Sequence, residues 1–377
     1  MAQRILVGTR KGLFVLRKKS HKPSVQWEIE GVHFLGEPVS QVLHDTRDNT
    51  LHVALNLGHF GVKMRRSRND GKTWEETAVP AYPEQPSVSS DELVSADAKD
   101  AKDEKPWALN QVWSLETGGA DQRNHLWAGT NPGGLFLSRD GGDSWELVRS
   151  LWDKPERKQW FGGGYDSPGI HSICVDPRNS QHVTIAISCG GIWQTRDGGN
   201  HWSVHCKGMF ADYMPEERRE DPIIQDPHRL VQNRANPDVM WVQHHCGIYY
   251  SNDNAASWQR IQVQPSSFGF AVATHPKNDK VAWFAPAIKD ALRIPVDGKF
   301  VVTKTRDGGA QFDVIDNGLP QQAAYDLVYR HGLDVDDSGD QLVMGSTTGS
   351  LWLSKDSGES WQHFSAHLPP IYCVRFA

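Results

Sequence analysis

No apolar run in this 377-residue chain approaches the roughly 18 residues that a membrane-spanning helix requires, so no membrane partner is expected. Cysteine is scarce. The five present (Cys174, Cys189, Cys206, Cys246 and Cys373) are odd in number and follow no framework spacing, which reads as reduced thiols in a cytoplasmic protein. The opening residues MAQRILVGTRKG lack the apolar core of a secretory signal, so none is expected. Positive charge is not in excess: 40 Lys and Arg stand against 46 Asp and Glu, a net charge of −6, so nucleic acid has no electrostatic footing as a partner. Hydrophobic residues make up only 38%. What the chain does have is 34 Gly, 21 Pro and 15 Trp, a composition of many short strands joined by tight turns.

One pattern returns six times: SRNDGKTW (67–74), SRDGGDSW (138–145), TRDGGNHW (195–202), SNDNAASW (251–258), TRDGGAQF (305–312) and SKDSGESW (354–361). Trp27, in SVQWE, reads as a worn seventh copy. A Ser or Thr, an Asp two residues on and a Gly two further describe a tight turn. The carboxylate accepts backbone N–H bonds, the Gly takes a positive φ, and the aromatic packs beneath. These aspartates are therefore read as structural. The pattern resembles the Asp-box, or BNR repeat, of β-propellers in the sialidase-like superfamily, with Asn69, His201, Ala255 and Gln311 as departures. That resemblance implies a fold strongly and a function weakly, because such repeats occur in enzymes and in non-catalytic proteins.

Strand patterns recur around each copy. They predict an all-β chain: one seven-bladed β-propeller over 1–377, each blade a four-stranded antiparallel meander with strands A to D from the channel outwards. The C-terminal run IYCVRFA (371–377) is expected to supply the missing strand A of the N-terminal blade and close the ring. Charged insertions fall at about 81–106, 148–169 and 206–226. One includes DELVSADAKDAKDEK (91–105), read as a solvated loop. The repeated turns join strands C and D and so lie on one face. The B–C turns and the long D–A loops lie on the other, here called the top, and long loops gathered on a rigid scaffold mark it as the working face.

Of the 17 histidines, five fall at the top rim: His59, His171, His228, His244 and His245. His171, His228 and one of the adjacent His244 and His245 are expected to converge, with Gln243 or Asp226 nearby. Since neighbouring strand residues point to opposite sides, only one of the two faces the channel. The set His171, His228, His245 and Gln243 suits a divalent metal, Zn or Mn. The alternative is that these histidines bond backbone groups or line a polar pocket. Lys289, Tyr325 and His59 are candidate bases, with Tyr325 placed at the start of a strand A and Asp326 a candidate nucleophile or acid. Trp160 and Tyr165, in the glycine-rich stretch WFGGGYDSPG, suit a lid or sugar stacking. Cys189 and Cys246 are read as packed small residues or, less simply, as ligands.

The sialidase resemblance implies a carboxylate-binding arginine triad. Leu292-Arg293-Ile294-Pro295 is similar to the family's arginine motif, and Arg10 lies at the top. Arg229 is expected to point away from His228, and Arg330 falls at the bottom end of its strand. Three readings stay open: a hydrolase or lyase acting on a glycan or other polar small molecule, metal-assisted in one form; a non-catalytic ligand-binding or assembly platform; and an exo-sialidase.

Overall fold

The six repeated turns fold alike. In the second, the Ser138 hydroxyl donates to Asp140 Oδ1 at 2.8 Å and accepts the N–H of Gly142 at 2.8 Å, while Asp140 Oδ1 accepts the N–H of Ser144 at 2.9 Å. Thr195–Asp197, Ser251–Asp253, Thr305–Asp307 and Ser354–Asp356 repeat these bonds. In the first turn the Asn69 carboxamide takes the carboxylate's place. In the fourth, Ala255 stands at the glycine position with φ of 61°. The aromatic that follows ties one blade to the last: Trp145 Nε1 donates to the carbonyl of Ala78, and Trp258 Nε1 to that of His205.

Between these turns the chain builds seven four-stranded antiparallel sheets in a ring, a seven-bladed β-propeller with almost no helix. The structure, a computed structural model, describes residues 2–21, 24–84 and 107–377; the stretch 91–105 lies outside them. The innermost strands of blades 2 to 7 are Val39–Asp45, Gln111–Thr117, Ile170–Val175, Pro227–Gln232, Phe268–Thr274 and Leu333–Val335. In blade 1 that place is taken by Ile371–Phe376, which pairs antiparallel with Arg4–Thr9 (Ile5 opposite Phe376, Val7 opposite Val374). Chain end therefore meets chain start, as the C-terminal run suggests, and no sheet edge is left open at the seam.

Large side chains fill the spaces between blades. Trp127, Trp193, Trp241, Trp283 and Trp352 are fully buried. Each removes on the order of 200 Å² from water, an upper bound of about 5 kcal/mol. Two positions depart from expectation. Trp27 sits within the outer strand Ser24–His33, opposite Lys18 in a long hairpin, rather than at the head of a turn. The inner strand of blade 7 begins at Leu333, so Tyr325 belongs to the loop before it and is exposed.

Partial burial opposes ionisation of the Asp140 carboxyl, but its hydrogen bonds from Ser144 and Ser138 prevail and hold it at about 2. The unfolded value is about 3.9. This stabilisation is therefore complete above about pH 4 and lost as the pH falls towards 2. Asp140→Asn, which the Asn69 turn shows to be sterically tolerated, is expected to have a lower urea midpoint than the parent at pH 6, with the gap closing by pH 2. A gap that persists at pH 2 would remove the charge from the explanation.

Candidate functional site

The inner strands share an irregularity at their top ends. The register against the second strand slips by one residue between Val39 and Gln41, Val112 and Ser114, Ile170 and Ser172, Pro227 and Arg229, and Gly269 and Val272. Such a bulge re-aims the extra side chain. The residues it displaces include Trp113, His171, His228 and Phe270, whose rings meet at the channel mouth: His171 lies 5.6 Å from Trp113, and His228 stacks on Phe270 at 4.4 Å.

Beside them is a cavity of about 190 Å³, lined among others by Asp226, His228, His245, Phe270, Arg293 and Arg330. Three donors converge there. Asp226 Oδ2 lies 3.4 Å from His228 Nε2 and 3.4 Å from His245 Nδ1, and the three atoms fall within 4.8 Å of one another. The other nitrogen of His228, Nδ1, is 2.7 Å from the carbonyl oxygen of Gly269. A carbonyl only accepts, so Nδ1 carries the proton and, in the neutral ring, Nε2 presents a lone pair to the carboxylate. Burial lowers the pKa of His228, and the Asp226 carboxylate opposes this. Burial pushes the Asp226 carboxyl upwards, but His228, His245 and Arg330 outweigh it and hold the group well below the usual carboxylate range. Its Oδ1 also accepts the N–H of Cys189 at 3.2 Å.

His244 and His245 part company at the turn. His244 is fully buried, with the amide N–H groups of Asp226 and Cys246 directed at its two nitrogens at 3.1 and 3.0 Å. Burial lowers its pKa to about 3, so it is a neutral strut of the hairpin. His245 lines the cavity, its ring edge-on to Tyr213, His228 and Phe268.

Several residues proposed from sequence stand elsewhere. His171 is wholly buried, bonded through Nε2 to the carbonyl of Pro227 and through Nδ1 to the Ser172 hydroxyl, and so supports the strand rather than joining the donors. Gln243 spends its amide on the carbonyls of Ser267 and His244; Asp226 fills the place assigned to it. His59 and Lys289 are exposed on other turns, Tyr325 is exposed, and none lines the cavity. Asp326 is buried in the blade 7 turn, accepting from the Ser346 and Thr348 hydroxyls. Arg10 is exposed and outside the cavity. Trp160 is a core residue against Trp193, while its neighbour Phe161 reaches the cavity. Tyr165 packs edge-on against Trp113. Arg293 lines the cavity and is paired with Asp290. Arg229 turns away, towards the carbonyl of His171.

Two features escape the sequence reading. Arg330 is at the top, not the bottom, buried over the rings of Trp113 and Phe270 at 4.7 and 5.2 Å. Gly163 passes so close to the donors that a Cβ there would lie 2.9 Å from Cys189 Sγ and 3.2 Å from Asp226 Oδ2; only glycine lets this loop close over them. All five cysteines are free, and burial raises the pKa of Cys246 to about 11 and keeps Cys189 a thiol.

The fold and site thus define a propeller with a polar, ring-lined cavity at one end of its channel. No protein-family profile matches the chain. Part of it, 37%, is 32% identical to the oligoxyloglucan-reducing end-specific xyloglucanase of Emericella nidulans, and the matched part is 18% of that enzyme's length. Among solved structures, an ancestral GH74 enzyme superposes with a TM-score of 0.58 at 18% identity, over 87% of this chain and 38% of that one. YCF48 bound to D1 peptide superposes with a TM-score of 0.54 at 15% identity, over 89% of this chain and 85% of that one. At these identities the structural likeness is one of fold.

His244→Ala removes a buried ring that accepts from one backbone amide and leaves a void; it is expected to cost about 2–4 kcal/mol in urea denaturation. His245→Ala, at the cavity wall, is expected to cost under about 1 kcal/mol. Equal costs would contradict the division of roles between the two.

Proposed function

We propose that the cavity is a catalytic site for a glycan or another polar small molecule, acting by hydrolysis or lyase chemistry, with a divalent ion held by Asp226, His228 and His245. The observation that carries this is the buried carboxylate facing two imidazole nitrogens at 3.4 Å each. That spacing is longer than the roughly 2.7–2.9 Å of a charge-assisted hydrogen bond. It matches the roughly 3.4 Å edge of a tetrahedron with bonds of about 2.1 Å. Gly269 orients His228 as carbonyls orient ligating imidazoles. Two nitrogens and one carboxylate suit Zn or Mn. When bound, such an ion supplies a Lewis acid that polarises a substrate oxygen.

The chain's own residues would do the rest. Asp226 offsets the ion's charge. The Phe161–Tyr165 segment screens the donors from water. Asp290, the other carboxylate at the cavity, is engaged with Arg293. The partial likeness to a xyloglucanase supports a glycan as the ligand class.

A second reading, a binding platform without turnover, draws on surface chemistry. Among the described residues, ten large apolar side chains are exposed. Seven of them (Leu35, Phe60, Phe161, Tyr165, Tyr213, Leu292 and Tyr325) stand on top-face loops, as an adhesive rim would.

Metal analysis of untagged protein and titration of the EDTA-treated chain with Zn or Mn test the first reading. About one ion per chain is expected, with affinity falling at least about 100-fold in Asp226→Asn and His228→Ala but retained in Gln243→Ala. Wild-type protein that takes up neither ion would overturn the metal assignment. Xyloglucan oligosaccharides that bind without release of new reducing ends would favour the platform.

A further inference from the structure

Arg330 is a buried cation with no hydrogen-bonded or ion-paired partner among the described residues, the Asp226 carboxylate acting on it only through space. Its side chain is 8% exposed, its Nε has no hydrogen-bond acceptor, and its guanidinium makes no hydrogen bond or ion pair among the described residues. Burying a guanidinium is costly unless its donors are satisfied. Here Trp113 and Phe270, both placed by bulged inner strands, lie against the guanidinium at 4.7 and 5.2 Å without satisfying its donors, and Arg330 lines the cavity. Arg293 stands on the same cavity wall, also over Phe270 at 5.2 Å, with its Nε and one terminal nitrogen given to Asp290. Asp226 lies in the same cavity but forms no ion pair with Arg330, and its own oxygens face Cys189 and the two histidines.

A pre-oriented planar fork without an acceptor, next to a second guanidinium, is the recognition element for an oxyanion. We propose that the ligand of this cavity is an acidic small molecule whose carboxylate or phosphate is bound by Arg330, with Arg293 as the second contact. This names the substrate class of the site proposed above and rests on that cavity being the working site. It differs from a three-arginine clamp, since neither Arg10 nor Arg229 lines the cavity. A cavity of about 190 Å³ is large enough to hold the acidic group of such a ligand.

The test uses calorimetric titration of the full chain with three probes: inorganic phosphate, glucuronate and glucose. At least one acidic probe is expected to saturate the wild-type chain at least about tenfold more tightly than glucose, with affinity falling as salt is raised. Arg330→Gln is expected to weaken that probe about 10- to 100-fold, and Arg330→Lys, which keeps the charge and loses the fork, by less. Preference for glucuronate identifies a carboxylate, and preference for phosphate identifies a phosphate ester; either supports the proposal.

Glucose binding as tightly as both acids, no saturation by either acid, or undiminished affinity in Arg330→Gln would overturn it. Zinc titration of Arg330→Gln reports separately on the donors, and unchanged zinc affinity is expected. If zinc fails to bind wild-type chain while glucuronate binds well, the metal reading falls and this one stands. Should Arg330→Gln not fold, the wild-type probe comparison and Arg330→Lys decide the matter.

Discussion

The pairing of Arg4–Thr9 with Ile371–Phe376 is the constraint on which the rest depends. It joins the two ends of the described chain in one sheet and converts seven meanders into a closed ring. Without it, blade 1 would lack its innermost strand and Arg4–Thr9 would present an unpaired edge to the channel. The repeated turns act one level below. They fix the C–D hairpins and, in the second and fourth copies, tie a blade to the one before through Trp145 and Trp258. They do so on the face opposite the cavity, so the elements most visible in the sequence are those furthest from the site.

That separation explains how much was legible. The turn chemistry is local: a hydroxyl, a carboxylate and a glycine within five residues suffice, so six copies could be read from the letters alone, and the seventh blade followed from the strand patterns at the two ends of the sequence. The cavity is built from residues distant in sequence. Its face could be inferred, because B–C and D–A connections of a meander must lie together. His228 and His245 could be named because the hairpin they begin and turn has recognisable ends, and Arg293 because it stands in the Leu292-Arg293-Ile294-Pro295 run. Period-2 alternation also separates His244 from His245 correctly in kind, and the structure gives the reason, since the inward ring belongs to the turn and the other is a hairpin strut.

What was not legible has a common physical cause. The one-residue slips in the inner strands have no residue signature, yet they decide which side chains enter the channel mouth. Simple alternation therefore admits His171 and Gln243, whose polar atoms are in fact consumed by backbone carbonyls. It places Gln243 ahead of Asp226, which precedes the inner strand and accepts the amide N–H of Cys189. Arg330 was misplaced because blade 7 delays its inner strand to Leu333; the preceding residues have the composition of a strand but run as an irregular loop.

The distribution of the cavity around the ring bears on its use. Its walls come from the long blade 3–4 and 4–5 loops and from blades 4 to 7, whereas the top turns carrying Arg10 and His59, in blades 1 and 2, stand apart. A propeller that served only as a symmetric scaffold would have no reason to concentrate a buried carboxylate, two imidazoles and an unpartnered guanidinium on one side. Each is costly to desolvate, and Asp226 and Arg330 are too far apart to form an ion pair. The packing that holds them, with Gly163 pressed against Asp226 and two aromatic rings against Arg330, favours keeping these charges apart over letting them collapse together. A separated pair of buried opposite charges stores unfavourable solvation energy that a ligand bearing both a cationic and an anionic contact relieves. A divalent ion at the carboxylate end and an oxyanion at the guanidinium end would satisfy both at once.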